Sequence, residues 1–125
     1  MAIIGAKVAV THTISWTPGS GDSLKFSGSE SFTQVGLLAG MQTVNAATTT
    51  TALPIFGASG AKYFGVKNTD PGATVYVDIV TPVVPSAAAH VLPPGKTMMV
   101  YTQTDAWYAI ASSGTPEIVV SAVQP

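Results

Sequence analysis

Apolar residues recur at every second position along much of the chain. From Lys7 to Trp16 the even positions are Val8, Val10, His12, Ile14 and Trp16, and the odd ones are Lys7, Ala9, Thr11, Thr13 and Ser15. That alternation gives an extended segment one apolar and one polar face, and it predicts a half-buried strand. Thr17 to Asp22, containing Pro18-Gly19, breaks the pattern with turn-forming residues. Leu24, Phe26 and Phe32 then share one parity against Lys25, Ser27, Ser29, Ser31 and Thr33. Gly28 and Glu30 interrupt this second apolar face, which predicts a bulge or two shorter strands. Gly36 to Gly40 reads as a loop and Met41 to Val44 as a short strand. The run Thr48 to Thr51 is β-branched throughout and resists helix formation.

The second half repeats the alternation. Tyr63, Phe64 and Val66 open a strand that Asn68-Thr69-Asp70-Pro71-Gly72 ends. Val75, Val77 and Ile79 face one way, with Tyr76 and Asp78 opposite. Pro82 and Pro85 bracket a segment that cannot be a central strand. Ser86 to His90 is alanine-rich, but Pro85 and Pro93 leave room for one or two helical turns at most. Pro93-Pro94-Gly95 is a turn, Thr97 to Thr102 a strand, Trp107 to Ala111 another, and Ile118 to Val123 the last. About eight short strands with regular turn signals predict an all-β, single-domain antiparallel sandwich, jelly-roll-like, with an immunoglobulin-like sandwich as the alternative. The domain is expected over residues 7–125, preceded by an N-terminal arm over 1–6.

Composition narrows the function. Of 125 residues, 46% are hydrophobic and only 9% charged, against roughly a quarter in ordinary soluble proteins. Five lysines, no arginine and six acids leave a net charge of -1, too sparse a cationic surface to hold nucleic acid. No apolar run approaches the roughly 20 residues of a membrane-spanning helix, so no membrane partner is expected. Cysteine is absent, which excludes disulfides and Cys-based metal sites. A surface this poor in charge predicts that other protein covers part of it.

Candidate chemistry is thin. His12 lies on an apolar face and reads as a packed structural imidazole; His90 reads as a loop or strand-edge residue. Gly57-Ala58-Ser59-Gly60-Ala61 has alanine where a nucleophile elbow needs its last glycine, and a strand follows where a helix is required. Glu30 with Asp78, or Asp105 with Glu117, would serve as paired carboxylates only if the fold joined them. Asp22, Asp70 and Asp105 suit turns, where aspartate bonds its own backbone. No enzymatic activity, metal or other cofactor is expected. Trp16, Trp107, Tyr76, Tyr101 and Tyr108 are the aromatic candidates for packing, a protein interface or a sugar platform. Trp107 and Tyr108 are adjacent, so one of them points outward.

The order Phe32-Thr33-Gln34-Val35-Gly36, Gly40-Met41-Gln42-Thr43-Val44, Ala52-Leu53-Pro54, Tyr63 to Asp70, Val75 to Ile79, Leu92 to Lys96 and Ile118 to Val123 resembles small structural proteins of tailed bacteriophage virions. Those proteins pair a strand, K-N-x-D, strand step with a later L-x-P-G turn and a final apolar strand. The resemblance spans Phe32 to Val123; the Pro82-to-Pro85 segment and the Met98-Met99 strand fall outside its pattern. It implies a non-enzymatic β-sandwich or jelly-roll component of the virion. Within that class a capsid decoration (cement) protein fits best: a homo-trimer on the outer surface of the head, made in the host cytoplasm and bound to the major capsid protein or another virion protein. A tail, collar or fibre component is the alternative, and a carbohydrate-binding module is the reading from another class. Ile3 and Ile4 of the apolar arm, with Trp107 and Tyr108, are the expected interface residues.

Replacing His12 with alanine is expected to lower thermal stability, because the imidazole shares its parity with Val8, Val10, Ile14 and Trp16. An unchanged melting temperature would take His12 off the packed face.

Overall fold

The computed structural model describes residues 7–16, 24–33, 39–58 and 60–124. Ten antiparallel strands account for nearly all of the regular structure: β1 (Lys7–Trp16), β2 (Leu24–Thr33), β3 (Ala39–Asn45), β4 (Thr51–Ala52), β5 (Lys62–Asn68), β6 (Val75–Asp78), β7 (His90–Leu92), β8 (Thr97–Thr102), β9 (Tyr108–Ala111) and β10 (Glu117–Val123). The sole helical element among the described residues is a 3-10 turn, Pro85–Ala87. It starts at the flanking Pro85 and overlaps the alanine-rich stretch that prolines were expected to keep short.

β3 to β10 form two four-stranded sheets, ordered β3-β10-β5-β8 and β4-β9-β6-β7. Their pairings nest: β3 with β10, β4 with β9, β5 with β8, β6 with β7. The chain is therefore one long antiparallel hairpin, β3 to β6 going out and β7 to β10 returning. It is wrapped so that β10 also pairs with β5 and β9 with β6. This is the jelly-roll path, and it decides against the immunoglobulin alternative. β1 and β2 form a separate two-stranded hairpin.

Several local expectations change. The β1–β2 ladder runs unbroken from Lys7↔Thr33 to Trp16↔Leu24, so Gly28 and Glu30 cause neither a bulge nor a split. A glycine fits a regular strand when the register around it is continuous; Gly28 simply stands opposite His12. Gly40 belongs to β3 rather than to a loop, because the Phe56 ring lies directly over it in the space a β-carbon would need. The remainder of that expected loop, 36–38, is outside the described residues. Two strands beyond the expected eight, β4 and β7, are two and three residues long, too short to show a period. Ile79 falls just past β6 and is 48% exposed.

The inward-facing positions of the two sheets build one core. Phe64 and Val66 of β5 and Ile118, Val120 and Ala122 of β10 meet Val75 and Val77 of β6, Leu92 of β7, and Ala109 and Ala111 of β9. Trp107 stacks on Phe64 across the sheets, with ring centroids 4.9 Å apart and planes 16° from parallel.

One buried polar residue ties the sheets at a corner. Asn68 is fully buried at the end of β5. Its Nδ2 donates to the Ala73 carbonyl (2.8 Å) and to the Leu92 carbonyl in the opposite sheet (2.9 Å), and its Oδ1 accepts from the Asp70 amide at 3.0 Å. Its backbone amide donates to the Lys96 carbonyl, and its carbonyl accepts from the Gly95 amide. Gly95 itself has φ +79, as the third position of a type II turn requires, and the Lys96 amide closes that turn on the Pro93 carbonyl. Asp70 Oδ2 accepts from the Gly72 and Ala73 amides, so the aspartate does bond its own turn. The K-N-x-D step and the L-x-P-G turn thus meet in one hydrogen-bonded corner.

Asn68→Leu is expected to cost about 3 kcal/mol in urea unfolding, because it strips partners from two buried carbonyls and one amide. A loss below about 1 kcal/mol, the worth of one ordinary hydrogen bond, would remove Asn68 from this role.

Candidate interaction surface

Strands bury one parity and display the other, so the sequence that builds the core also composes the two outer faces. On the larger sheet the register aligns Met41, Ser121, Gly65 and Met99 in one row across four strands. Val123, Tyr63 and Tyr101 align in the next row. Met41 is 68% exposed, Met99 56% and Tyr101 61%. The Tyr63 and Tyr101 rings pack at 4.8 Å and 45°. Charge on this face stays at one end, where exposed Lys67 and Glu117 stand beside the Asn68 corner. Apart from the amide of Asn45 at that same end, the remainder is apolar or hydroxyl-bearing.

The other sheet carries Val91, Tyr76 and Ile110 in one outward row, and Tyr108 between Ala52 and Asp78 in the next. The Asp78 carboxylate is committed to backbone: Oδ1 accepts from the Ile79 amide and Oδ2 from the Ala89 amide.

Of the four expected interface residues, Tyr108 is on an outer face and half-buried. Trp107 points the other way and is 5% exposed, which removes it from any surface contact; alternation at the start of β9 turned it onto Phe64. Its indole N–H is buried without a hydrogen-bond acceptor among the described residues. Ile3 and Ile4 lie outside the described residues, as do the side chains of His12, Trp16 and Glu30. Asp22 and Ser59 lie outside them too. His90 opens the edge strand β7, half-buried, its ring 6.0 Å from that of Trp107. The outward methionines Met41 and Met99 were not singled out in the sequence, although strict parity from Ser121 and Gly65 would have placed them.

Asp105 does not join Glu117. It pairs with Lys62, the fully buried first residue of β5, whose Nζ donates to Asp105 Oδ1 and to the Gly60 carbonyl at 2.8 Å each. A buried ammonium is tolerated only when its protons are taken up in this way. The hydrogen bond from Lys62, helped by its charge, holds the Asp105 carboxyl below the usual carboxylate range. Among the described residues no three His, Asp or Glu side chains gather as a metal site. No helix there is long and apolar enough to cross a membrane.

A carboxyl with a depressed folded pKa stabilises above its unfolded value, about 3.9, and loses that contribution as pH falls through the lower folded value. Asp105→Ala should therefore lower the melting temperature at pH 7, with the gap to the parent narrowing below about pH 4. Adding Lys62→Met should recover much of the loss by removing the stranded cation. A melting difference that stays the same down to pH 2 would contradict this pairing.

The comparisons found no matching family model, no matching curated protein and no matching solved structure.

Proposed function

We propose that this chain is a non-enzymatic structural protein of a bacteriophage virion, a capsid decoration (cement) protein that binds the outer surface of the head and stabilises the shell. The observation that carries the reading is the outer face of the larger sheet, where Met41, Met99 and Tyr101 stand exposed in uncharged rows. Large apolar side chains exposed on one face suit a protein contact, and methionines adapt their shape to the partner. The sequence resemblance to virion proteins supplies the class of partner: the major capsid protein or a neighbouring virion protein. A homo-trimer joins several modest contacts into firm retention by raising their effective concentration. A tail, collar or fibre location would share the fold but not the copy number. The carbohydrate-binding reading is favoured by one feature, the ring pair of half-buried Tyr63 and exposed Tyr101, and binding to immobilised sugars in place of particles would select it.

The contact is expected to be apolar rather than ionic. Particles washed in about 1 M NaCl, where screening is confined to roughly 3 Å, should keep the protein at a copy number comparable to the shell protein. Wholesale release would contradict the reading. Met41→Glu should weaken particle binding at least tenfold while leaving the melting temperature unchanged, since the side chain is 68% exposed in the free protein. Unchanged binding would move the contact off this face.

A further inference from the structure

β8 is the terminal strand of the larger sheet, so one side of its backbone has no described strand beside it. The hydrogen bonds of the Asn68 corner fix which residues turn that way. The Asn68 amide donates to the Lys96 carbonyl on the β8 side, and the Thr69 amide donates to the Glu117 carbonyl on the β10 side. Antiparallel pairs alternate between hydrogen-bonded and non-hydrogen-bonded positions. Counting back along β5 from Asn68, Val66, Phe64 and Lys62 bond to β8, where their partners are Met98, Val100 and Thr102. Thr97, Met99 and Tyr101 occupy the other positions and turn their N–H and C=O groups to the free edge. No turn, loop or cap bond among the described residues reaches these groups.

Free edges are ordinarily guarded by a lysine, a proline, a bulge or a covering segment. β8 reads Thr-Met-Met-Val-Tyr-Thr, with neither charge nor proline, and it pairs in continuous register with β5. Val10 and Thr11 of β1 come near it, bordering a groove of about 430 Å³ with Tyr63, Thr97, Met99 and Tyr101. Those last four share the outward parity, so the hairpin stands over the outer face of the sheet rather than in line with its edge. Of the other terminal strands, β4 and β7 have two and three residues. β3 carries Gly40 and Asn45, which suit a strand poorly.

The pattern on the β8 edge is its own complement. Its outward positions are evenly spaced and centred on Met99, so the strand turned end for end meets the same spacing. Thr97 then faces Tyr101 of the second copy, Met99 faces Met99, and Tyr101 faces Thr97. Each is a hydrogen-bonded pair that exchanges N–H to C=O bonds in both directions, and every outward group of the strand is satisfied. On the outer face methionine meets methionine and tyrosine meets threonine. Lys96, the adjoining charged residue, falls opposite Thr102, so no like charges meet. We propose that β8 pairs antiparallel with β8 of a second copy across a two-fold axis at Met99, joining the two four-stranded sheets edge to edge. Such a contact uses one patch twice and closes on itself. It goes beyond the function proposed above, whose association is threefold, and neither contact requires the other. It needs no particle to be tested, so its failure is distinct from failure of the virion reading.

The chain has no cysteine, and residues of a hydrogen-bonded pair stand about 5.5 Å apart at Cα, within reach of a disulfide. Met99→Cys protein, mildly oxidised, should therefore give a disulfide-linked dimer. Met41→Cys, at a more exposed position on the opposite edge strand β3, should give several-fold less. Met99→Lys and Met99→Glu each set like charges across the axis, and each should sediment as a smaller species than the parent. Their equimolar mixture should regain the parent's size, which variants that had merely failed to fold would not do. Linkage at Met41 equal to that at Met99 would overturn the proposal. A mixture that stays small would overturn it as well, as would charged variants that keep the parent's size.

Discussion

The roll depends on Asn68. A two-sheet sandwich needs its layers held at an edge where apolar packing thins out, and there the backbone must turn without leaving bare carbonyls. A buried amide side chain solves this because it donates twice and accepts once along fixed directions. Asn68, at the end of β5, gives its two donors to the carbonyls of Ala73, in the turn before β6, and Leu92, in β7 of the opposite sheet, and takes the Asp70 amide that starts the turn. Aspartate in its place would lack both donors, and leucine would lack all three bonds. Because the carbonyl and amide of Asn68 also engage Gly95 and Lys96, strand end, connecting turn and returning strand are fixed together. The apolar core then closes over a frame whose corner is already set.

That division of labour explains the sparseness of charge. With the corner satisfied by neutral hydrogen bonds and the interior by Phe64, Trp107 and the valines of β5, β6 and β10, the fold asks for a single ion pair among the described residues, Lys62 with Asp105. The outer faces carry few charges, Lys67 and Glu117 at one end of the larger sheet and Asp78 on the smaller one. They carry methionine, tyrosine, valine and hydroxyls, a surface suited to being covered.

Much of the architecture was legible from period two alone. The bounds of β1 and β8 match their alternating runs, and β5 and β10 match theirs to within a residue or two, because half-buried strands advertise one face. The outer strands of the smaller sheet, β4 and β7, were not legible; two or three residues cannot display a period, and neighbours place them. Gly40 misled because the ring that replaces its missing side chain comes from Phe56, sixteen positions on. The turn at Asn68 to Gly72 was visible as a turn, but nothing local said that its asparagine would be buried and reach Leu92. Opposite orientations for Trp107 and Tyr108 followed from adjacency, whereas the choice between them needed Phe64. Nothing local marked Lys62 as buried, since its partner Asp105 is distant in sequence and joins it only once β5 and β8 are paired.

The nesting of the roll sets Ala39 beside Val123. The strand that opens the eight-stranded roll and the strand that finishes it are thus hydrogen-bonded neighbours, so a short linker could join them at little entropic cost. New ends could then be opened at the exposed Ser112–Thr115 turn, where Gly114 has open space around it. Read in this way the jelly roll is a ring of strands rather than a line. The hairpin is an appendage attached at one station on that ring, and anything fused after Gln124 would leave from the same station.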